Sequence, residues 1–312
     1  MTRHIKGTYQ VPVVSLSQWA ERYRHKHPPV GQASFDMDNC LIKSEDAHDM
    51  AHARLLQDVL ALQHVQGQEW LDVWEQFAVG GGRYGFQGGC FHRAETIVVQ
   101  SILERVAKIQ HHEPERRGRS EITYQQYIRE KTELMQRKIR GKEWVLEEVE
   151  GARQLVERVS RNTATGLTTG SVHEIAEAML VNMGLREKFQ VVVTATDLLP
   201  TTPHGKPKPG KPNPWAYGKT FTCLPKRDGL RIVFEDNLAT AVRATQVADL
   251  AFLLPFRRSN STEQPISVEA ATSAANDLAR LHKIRPRGQV VLAETFDGGW
   301  HNVREALEPL LQ

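Results

Sequence analysis

Strand-like and helix-like segments alternate through the second half of this chain, and that alternation limits its possible folds more than any other feature. After Gly151, short apolar runs rich in β-branched residues are separated by amphipathic segments whose apolar residues lie three and four positions apart. Strands that are spaced by helices usually form a parallel sheet that is covered by helices on both faces. The pattern therefore predicts an α/β fold built on a parallel sheet.

The individual elements of this half can be placed approximately. The predicted strands are residues 163–168, "QVVVTAT", "RIVFED", "AFLLPF" and "QVVLAE", with helices at about residues 172–183 and 238–247 and a closing helix at the end of the chain. A further strand ends at Phe35. The strands near residues 33 and 165 are more polar than is usual for parallel strands buried on both faces.

The segment between the first strand and Gly151 carries helical signals only. Helices are predicted at about residues 44–67, 93–110 and 122–139, and the Gly-rich stretch "VGGGRYGFQGGC" is predicted to be a loop. Ser44 is predicted to be the N-cap of the first helix. The segment is thus interpreted as an all-helical insertion into the sheet domain.

The chain is therefore predicted to have three parts. Residues 1–43 form an N-terminal extension and the first part of the sheet domain, and residues 44–149 form the helical insertion. Residues 150–312 complete the sheet domain and add a C-terminal extension. Within the first part, residues 1–29 are expected to lie on the surface of the fold.

Composition excludes several functional classes. The 40 basic and 37 acidic residues leave a formal net charge of +3, so no general attraction to nucleic acid or to membranes is expected. No apolar run approaches the roughly 20 residues that span a bilayer, and no signal peptide is recognisable. The three widely spaced cysteines indicate a reducing compartment, so a cytoplasmic location is expected. No zinc-binding spacing is present.

Two carboxylates follow the first predicted strand of the sheet. Asp36 and Asp38 stand two positions apart, directly after Phe35. Residues i and i+2 of a strand point to the same side, so both carboxylates should emerge together at its carboxyl end. Two negative charges at such a short distance require a compensating cation.

Three other segments should reach the same edge, because ligands of an open parallel sheet gather beyond the carboxyl ends of its strands. The first is "TTGS", in which Thr169 and Gly170 can bind an anion. The second is "GKPNPWAY", in which Lys211 precedes a helix start at Asn213 and Pro214. The third segment ends the strand "RIVF".

That third segment is Glu235-Asp236, and it adds two more carboxylates to the predicted site. Four acidic groups with oxygen ligands favour Mg²⁺ among the common metal ions. Lys211 and the Thr169-Gly170 turn could then neutralise a phosphoryl group. One carboxylate of the first pair could attack phosphorus, while the other transfers protons to and from the oxygens involved.

The four segments together resemble the motifs of the haloacid dehalogenase (HAD) superfamily. "FDMDNCLIKSEDAH" is similar to its first motif, commonly DxDGT, as continued in the helical-cap branch of β-phosphoglucomutase and phosphoglycolate phosphatase. "GKPNPWAY" is similar to the GKPxPxxY of that branch, and "VFEDNLATAVRA" to its VFEDSxxGVxAA. The resemblance covers about residues 30–70 and 145–255.

This resemblance implies a Rossmann-like core, an inserted helical cap and a Mg²⁺-dependent aspartyl-phosphate mechanism. It implies that Asp36 is the nucleophile and Asp38 the general acid/base. The implied phosphate ligands are Thr169, Gly170 and Lys211; the implied metal ligands are Asp36, Glu235, Asp236 and the backbone carbonyl of Asp38. Lys206 and Lys208 are rivals of Lys211, which is preferred because a helix start follows it.

The chain also departs from the pattern of the superfamily. Asn39-Cys40 replaces Gly-Thr, and Asn tolerates the backbone angles of a tight turn. Cys40 is expected to be a small buried packing residue. The insertion of about 105 residues exceeds the usual helical cap, so no substrate pocket can be carried over from relatives.

Four residues of the insertion are candidates for contact with substrate. Glu45 and His48 have two interpretations, since they could equally cap and line the first helix of the insertion. Arg83 and Arg93 could meet an anionic substrate.

The leading hypothesis is a phosphatase that hydrolyses a small phosphorylated metabolite. A sugar-phosphate mutase is the nearest alternative, because it needs the same carboxylates. A non-catalytic HAD-like protein that binds a partner is an alternative of another class. Neither nucleic acid nor membrane is an expected partner, and the sequence does not fix an oligomeric state.

Overall fold

A computed structural model of the chain gives the fold. It describes residues 9–22, 28–44, 47–48, 50–51, 54–55, 123–198, 211, 213–255, 266–293 and 300–311. Of the predicted helices, 93–110 and most of 44–67 lie outside these residues, as does the loop at residues 79–90.

In the described part of the chain, the core is a parallel sheet of seven strands, as the alternation of strands and helices predicts. Its strands are β1 (Val13–Ser15), β2 (Val30–Phe35), β5 (Ala164–Thr168), β6 (Val191–Val193), β7 (Leu230–Glu235), β8 (Leu250–Leu253) and β9 (Gln289–Leu292). They lie in the order β1-β9-β8-β7-β2-β5-β6, and every neighbouring pair is parallel. The predicted α/β class with a Rossmann-like parallel sheet is confirmed. The strand order places β2 between β5 and β7, so three of the four predicted segments follow adjacent strands.

The described residues also form α-helices. They are α1 (Leu16–Arg22), α2 (Tyr124–Arg140), α3 (Ala152–Asn162), α4 (His173–Asn182), α5 (Trp215–Cys223), α6 (Leu238–Ala244), α7 (Val268–His282) and α8 (Trp300–Leu307). Strands β3 (Ile42–Lys43) and β4 (Glu147–Glu148) form a separate antiparallel pair. No helix among the described residues is both long enough and apolar enough to cross a membrane.

The chain divides into two compact units. The first contains Met1–Lys43, Glu147–Ser171 and Gly184–Gln312, and the second contains Ser44–Leu146 and Val172–Met183. In the second unit α2 begins with a capping box, in which the hydroxyl of Thr123 accepts from the backbone N–H of Gln126 and the Gln126 side chain accepts from the backbone N–H of Thr123. The helix predicted at residues 122–139 is thus present. The second unit also takes in α4, which the sequence pattern assigned to the sheet domain.

The prediction that residues 1–29 form a surface extension is wrong for its described part. Strand β1 pairs with β9 at the edge of the sheet, and helix α1 buries Trp19 completely. A three-residue strand at the edge of a sheet leaves almost no periodic signal, because its stability comes from the neighbouring strand and not from local pattern.

The two polar strands, β2 and β5, are nevertheless fully buried. Their polar side chains are hydrogen-bonded in the interior, as buried polar groups generally are. Ser34 Oγ lies 2.8 Å from Thr168 Oγ1, which lies 2.6 Å from Thr220 Oγ1 of α5. The amide of Gln32 donates to the carbonyls of Phe221 and Pro225.

An aromatic cluster joins the central strands of the first unit. Phe35 of β2 stacks on Phe234 of β7, with ring centroids 4.2 Å apart, and Phe234 stacks on Phe252 of β8 at 5.6 Å. Trp19 packs edge-on against Phe252, and Trp300 edge-on against Phe234. Phe35 and Phe234 stand at the carboxyl ends of β2 and β7, so their two stacked rings lie directly behind the site.

Candidate active site

The loop after β2 places the first carboxylate at the edge of the sheet. The backbone N–H of Asp36 donates to the carbonyl of Phe234, which continues the β2-β7 pairing by one residue. Asp36 is buried, with 5% of its surface exposed, and its Oδ1 accepts from the N–H of Met37 at 2.7 Å. Asn39 then turns the chain with φ at +58°, a conformation that Asn tolerates better than most residues.

The carboxylate of Asp38 is held by two hydroxyl groups from the loop after β5. Thr169 Oγ1 donates to Asp38 Oδ2 at 3.0 Å, and Ser171 Oγ donates to the same oxygen at 2.8 Å. The backbone N–H of Thr169 donates to the carbonyl of Val193 on β6, so the donor loop is itself fixed to the sheet. Asp38 and Thr169 therefore meet, as expected if parallel strands bring their carboxyl ends together.

Lys211 bridges two carboxylates from neighbouring strands. Its Nζ lies 2.6 Å from Asp36 Oδ1 and 2.5 Å from Glu235 Oε1. Its side chain is only 11% exposed, so both ion pairs lie in a largely desolvated environment. The helix that follows, α5, starts at Trp215, whose N–H donates to the side chain of Asn213. The predicted helix start after Lys211 is present, one residue later than expected.

The carboxylate of Glu235 is surrounded by donors. It is fully buried at the end of β7. Besides Lys211, Oε1 accepts from the hydroxyl of the buried Tyr217, and Oε2 accepts from the backbone N–H of Asn237 at 3.2 Å. This set of contacts holds Glu235 in one orientation beside Asp36.

Three carboxylates converge closely enough to share a cation. Asp36, Glu235 and Asp236 each offer an oxygen, and these oxygens lie within 4.8 Å of one another. The donors are all hard oxygen atoms, a set that suits Mg²⁺. The side chain of Asp38 is not part of this group, and its predicted metal contact is through the backbone.

Burial and like charges shift the ionisation of these groups. Burial raises the pKa of Asp36 from 3.8 to about 7; the charge of Lys211 opposes this rise, and Glu235 and Asp38 add to it. Burial and the charges of Asp36 and Glu235 also raise the pKa of Asp236. Burial alone would lower the pKa of Lys211, but the two adjacent carboxylates raise it. If all three carboxyl groups were ionised, their negative charge would exceed what Lys211 alone compensates.

Cys40 follows the carboxylate pair and is fully buried, as expected for a packing residue. Burial and the nearby charge of Asp36 raise the pKa of its thiol. A thiol with a raised pKa is a weak nucleophile at neutral pH.

The remaining predicted residues fall in three groups. Gly170 is exposed, with no atom within 4 Å of the position that a Cβ would take, so the space beside this turn is open. His48 belongs to the second unit, where its backbone N–H donates to the backbone carbonyl of Ser44. Glu45, Arg83, Arg93, Lys206 and Lys208 lie outside the described residues.

Two residues that contact the site were given no role from the sequence. Ser171 and Tyr217 both lie within the motif segments, yet a lone Ser in a turn or a Tyr near a helix start is not by itself a functional signal. Ser171 contacts Asp38, and Tyr217 contacts Glu235. The sequence does not predict these contacts, because the partners are distant along the chain and meet only in the folded sheet.

Comparison with known proteins gives a family and a set of similar folds. A model of the haloacid dehalogenase-like hydrolase family matches residues 33–244. The fold is similar to that of YfnB from Bacillus subtilis, a proposed HAD hydrolase bound to magnesium, with a TM-score of 0.51 and 14% identity over 82% of this chain and 100% of that one. It is also similar to a proposed β-phosphoglucomutase from Thermotoga maritima, with a TM-score of 0.50 and 16% identity over 81% of this chain and 99% of that one.

No curated protein matches the chain significantly. At such low identities the likeness to solved structures shows a shared fold. The family model, in contrast, spans most of the chain and includes every carboxylate and Lys211 of the cluster described above. The chain belongs to the haloacid dehalogenase-like hydrolase family.

Proposed function

We propose that this protein is a Mg²⁺-dependent phosphatase that hydrolyses a small phosphorylated metabolite through an aspartyl-phosphate intermediate. The observation that carries the proposal is the different environment of the two aspartates of the first motif. Asp36 is buried against Lys211, whereas Asp38 is partly exposed and held by the hydroxyls of Thr169 and Ser171. Two carboxylates in different environments suit two different roles.

Asp36 is the proposed nucleophile. One of its carboxylate oxygens attacks phosphorus while the bond from phosphorus to the substrate oxygen breaks, and Asp38 gives a proton to that departing oxygen. In the second step Asp38 takes a proton from water, the water oxygen attacks phosphorus, and the bond from phosphorus to Asp36 breaks, which releases inorganic phosphate. The hydroxyls of Thr169 and Ser171 hold Asp38 in place for both proton transfers.

Lys211 supports this reaction by its charge. It lies between Asp36 and Glu235 in a buried setting, where a fixed positive charge stabilises an anion more strongly than in water. Tyr217 and the backbone N–H of Asn237 keep Glu235 oriented and so help to keep Lys211 beside the nucleophile.

The residues present fit a magnesium ion. Asp36 and Asp236, with Glu235 beside them, would hold it together with the backbone carbonyl of Asp38. When bound, Mg²⁺ would screen the repulsion between Asp36 and the phosphoryl oxygens. Burial, together with the neighbouring negative charges, raises the pKa values of Asp36 and Asp236, and a bound cation would favour the ionised form of both carboxyl groups.

The test is a screen of small phosphoesters with and without Mg²⁺, comparing the parent protein with Asp36→Asn. We expect release of inorganic phosphate from at least one substrate, dependence on Mg²⁺, and a loss in Asp36→Asn of about a thousandfold or more. Asp228→Asn is the matched control, because it removes an exposed carboxylate two residues before β7, beyond the opposite end of that strand from Glu235.

Other outcomes would contradict the proposal in distinct ways. An isomerised sugar phosphate without free phosphate would identify a mutase, which needs the same carboxylates. Absence of turnover across the whole panel, with recovery of a stable protein complex, would support a non-catalytic binding role. Turnover by Asp36→Asn close to that of the parent would refute the assigned nucleophile.

A further inference from the structure

The C-terminal part of the chain contributes a side chain to the loop that carries the two aspartates. Trp300, at the start of α8, is fully buried, and its indole Nε1–H donates to the backbone carbonyl of Cys40 at 2.6 Å. The two residues are 260 positions apart in sequence. Trp300 also lies outside residues 33–244, the part of the chain that the family model matches.

Three other carbonyls of this loop accept hydrogen bonds from backbone N–H groups. The carbonyl of Met37 accepts from the N–H groups of Leu41 and Ile42, and the carbonyl of Ile42 accepts from the N–H of Asn39. The carbonyl of Leu41 accepts from the N–H of Val149. In contrast, the carbonyl of Cys40 is bonded by a side chain, the indole of Trp300.

Trp300 also contacts the neighbouring strand of the site. Its ring packs edge-on against Phe234, with centroids 5.6 Å apart. Phe234 directly precedes Glu235 and accepts the backbone N–H of Asp36. A single indole thus touches both the turn after Asp38 and the strand that ends in Glu235.

The position of α8 is itself closely defined. The backbone N–H of Trp300 donates to the carbonyl of Glu150 at 2.8 Å. Gly151 has φ at +76°, and a Cβ there would lie 2.6 Å from the backbone nitrogen of His301. Directly after the other end of α8, Glu308 forms an ion pair with Arg158 at 2.7 Å. These contacts hold the helix that carries the indole to the segment 150–158 of the same unit.

We propose that Trp300 is a positioning residue, which holds the turn at residues 38–41 against β7 and so sets the distance between Asp38 and Asp36. The proposal rests on the proposed function only for its kinetic consequence. Any large ring at this position would satisfy apolar packing alone. The hydrogen bond to the carbonyl of Cys40, in contrast, requires a side chain with an N–H group that reaches as far as the indole of Trp300. Small displacements of a catalytic group have large effects on rate, since proton transfer depends closely on distance.

The experiment compares Trp300→Phe with Trp19→Phe. Both changes remove a fully buried indole and keep an aromatic ring, but Trp19 packs against Phe252 of β8, a strand that β7 separates from β2. In Trp300→Phe we expect kcat to fall about tenfold or more, with a smaller change in KM. Amide hydrogen exchange should become about tenfold faster in residues 36–43. In Trp19→Phe we expect kcat within about twofold of the parent and unchanged exchange in residues 36–43.

Trp300→Phe with the kcat of the parent and unchanged exchange in residues 36–43 would overturn the proposal. Equal losses in both variants would also overturn it, because that result would indicate general loosening of the core. Should no phosphoester be turned over by the parent protein, the proposed function fails, and the exchange of residues 36–43 still decides whether Trp300 positions the loop.

The parent protein gives an independent measurement that does not depend on a variant folding. The indole N–H resonances of Trp300 and Trp19 can be assigned from the contacts of these rings with Phe234 and Phe252, respectively. The Trp300 resonance should shift when Mg²⁺ and beryllofluoride, a phosphoryl mimic, are added together, whereas that of Trp19 should not. A Trp300 resonance that does not respond, while the amide resonances of residues 36–43 do, contradicts the proposal; no response in either group contradicts the proposed function.

Discussion

Lys211 and the two carboxylates beside it depend on one another for their stability. Each charge would be costly to bury alone, because removal from water is only offset by a partner at close range. Nζ of Lys211 contacts both Asp36 and Glu235 while the side chain stays almost fully buried. The sequence predicted Lys211 as a phosphate ligand, but its double ion pair depends on the side-by-side packing of β2 and β7.

The change Lys211→Met should therefore destabilise the fold as well as impair catalysis. It keeps the length of the side chain but leaves two buried carboxylates without their cation, which should lower the free energy of unfolding by about 3–5 kcal/mol in the presence of a chelator. Lys219→Met is the control, since the Lys219 ion pair with Asp197 is long and partly exposed, at 3.7 Å. It should change the free energy by about 1 kcal/mol or less.

Urea unfolding of the three proteins provides the measurement. Equal stabilities of Lys211→Met and the parent protein would show that the buried pairs are not formed in solution. A comparable loss in Lys219→Met would show that the effect is not specific to the site.

At the level of secondary structure elements, a chain of buried hydroxyls connects β2, β5 and α5. Ser34, Thr168 and Thr220 contribute one hydroxyl each, and Thr220 also donates to the carbonyl of Ala216 at 3.3 Å. This chain explains how strands that look too polar for a parallel core can be completely buried. It also lies directly behind the site, because Thr168 is followed by Thr169.

Thr168 carries the central hydroxyl of this chain. Its removal should leave the hydroxyls of Ser34 and Thr220 without a partner at that position. The nearly isosteric change Thr168→Val should lower the free energy of unfolding by about 1–3 kcal/mol. The combined change Ser34→Ala with Thr168→Val should cost less than the sum of the two single changes, because they share one hydrogen bond. Chemical unfolding of the single and double variants measures this coupling.

The control is Thr222→Val in α5. The exposed hydroxyl of Thr222 donates to the carbonyl of Gly218 within the same helix. Its loss should change stability by about 0.5 kcal/mol or less. Strict additivity in the double variant would contradict a connected chain of hydroxyls.

At the level of the whole molecule, the acidic cluster should link metal binding to folding. Asp36 and Asp236 follow strands that meet only in the folded sheet, so the unfolded chain has no comparable site. A ligand that binds only the folded state stabilises it, by about 2.7 kcal/mol at a concentration one hundredfold above its dissociation constant.

We therefore expect Mg²⁺ to raise the melting temperature of the parent protein in a saturable way. The change Asp236→Asn should remove most of this effect, because one of the converging carboxylates is lost. Calorimetric melting over a range of MgCl₂ concentrations, with NaCl at matched ionic strength, provides the measurement. Identical Mg²⁺ dependence in Asp236→Asn and the parent would contradict the proposed ligand set.

Much of the fold and the site was predictable because the signals are local. Strand and helix periods are set by neighbouring residues, and parallel strands necessarily bring their carboxyl ends to one edge. Asp36, Asp38, Lys211 and Glu235 could thus be assigned to one place from the sequence pattern alone. The roles of Asp36 and Asp38 remain predictions, as do those of the candidate residues in the helical insertion.

The sequence by itself determined the α/β class, the succession of the main strands along the chain and the edge at which the acidic residues gather. Only the tertiary structure decided that β1 completes the sheet, that hydroxyls of β2 and β5 pair in the interior, and that Trp300 supports the turn at Cys40. The physical reason is the range of the interactions. Periodicity and capping act over a few residues, whereas these contacts join segments more than one hundred residues apart, which approach each other only when the core is packed.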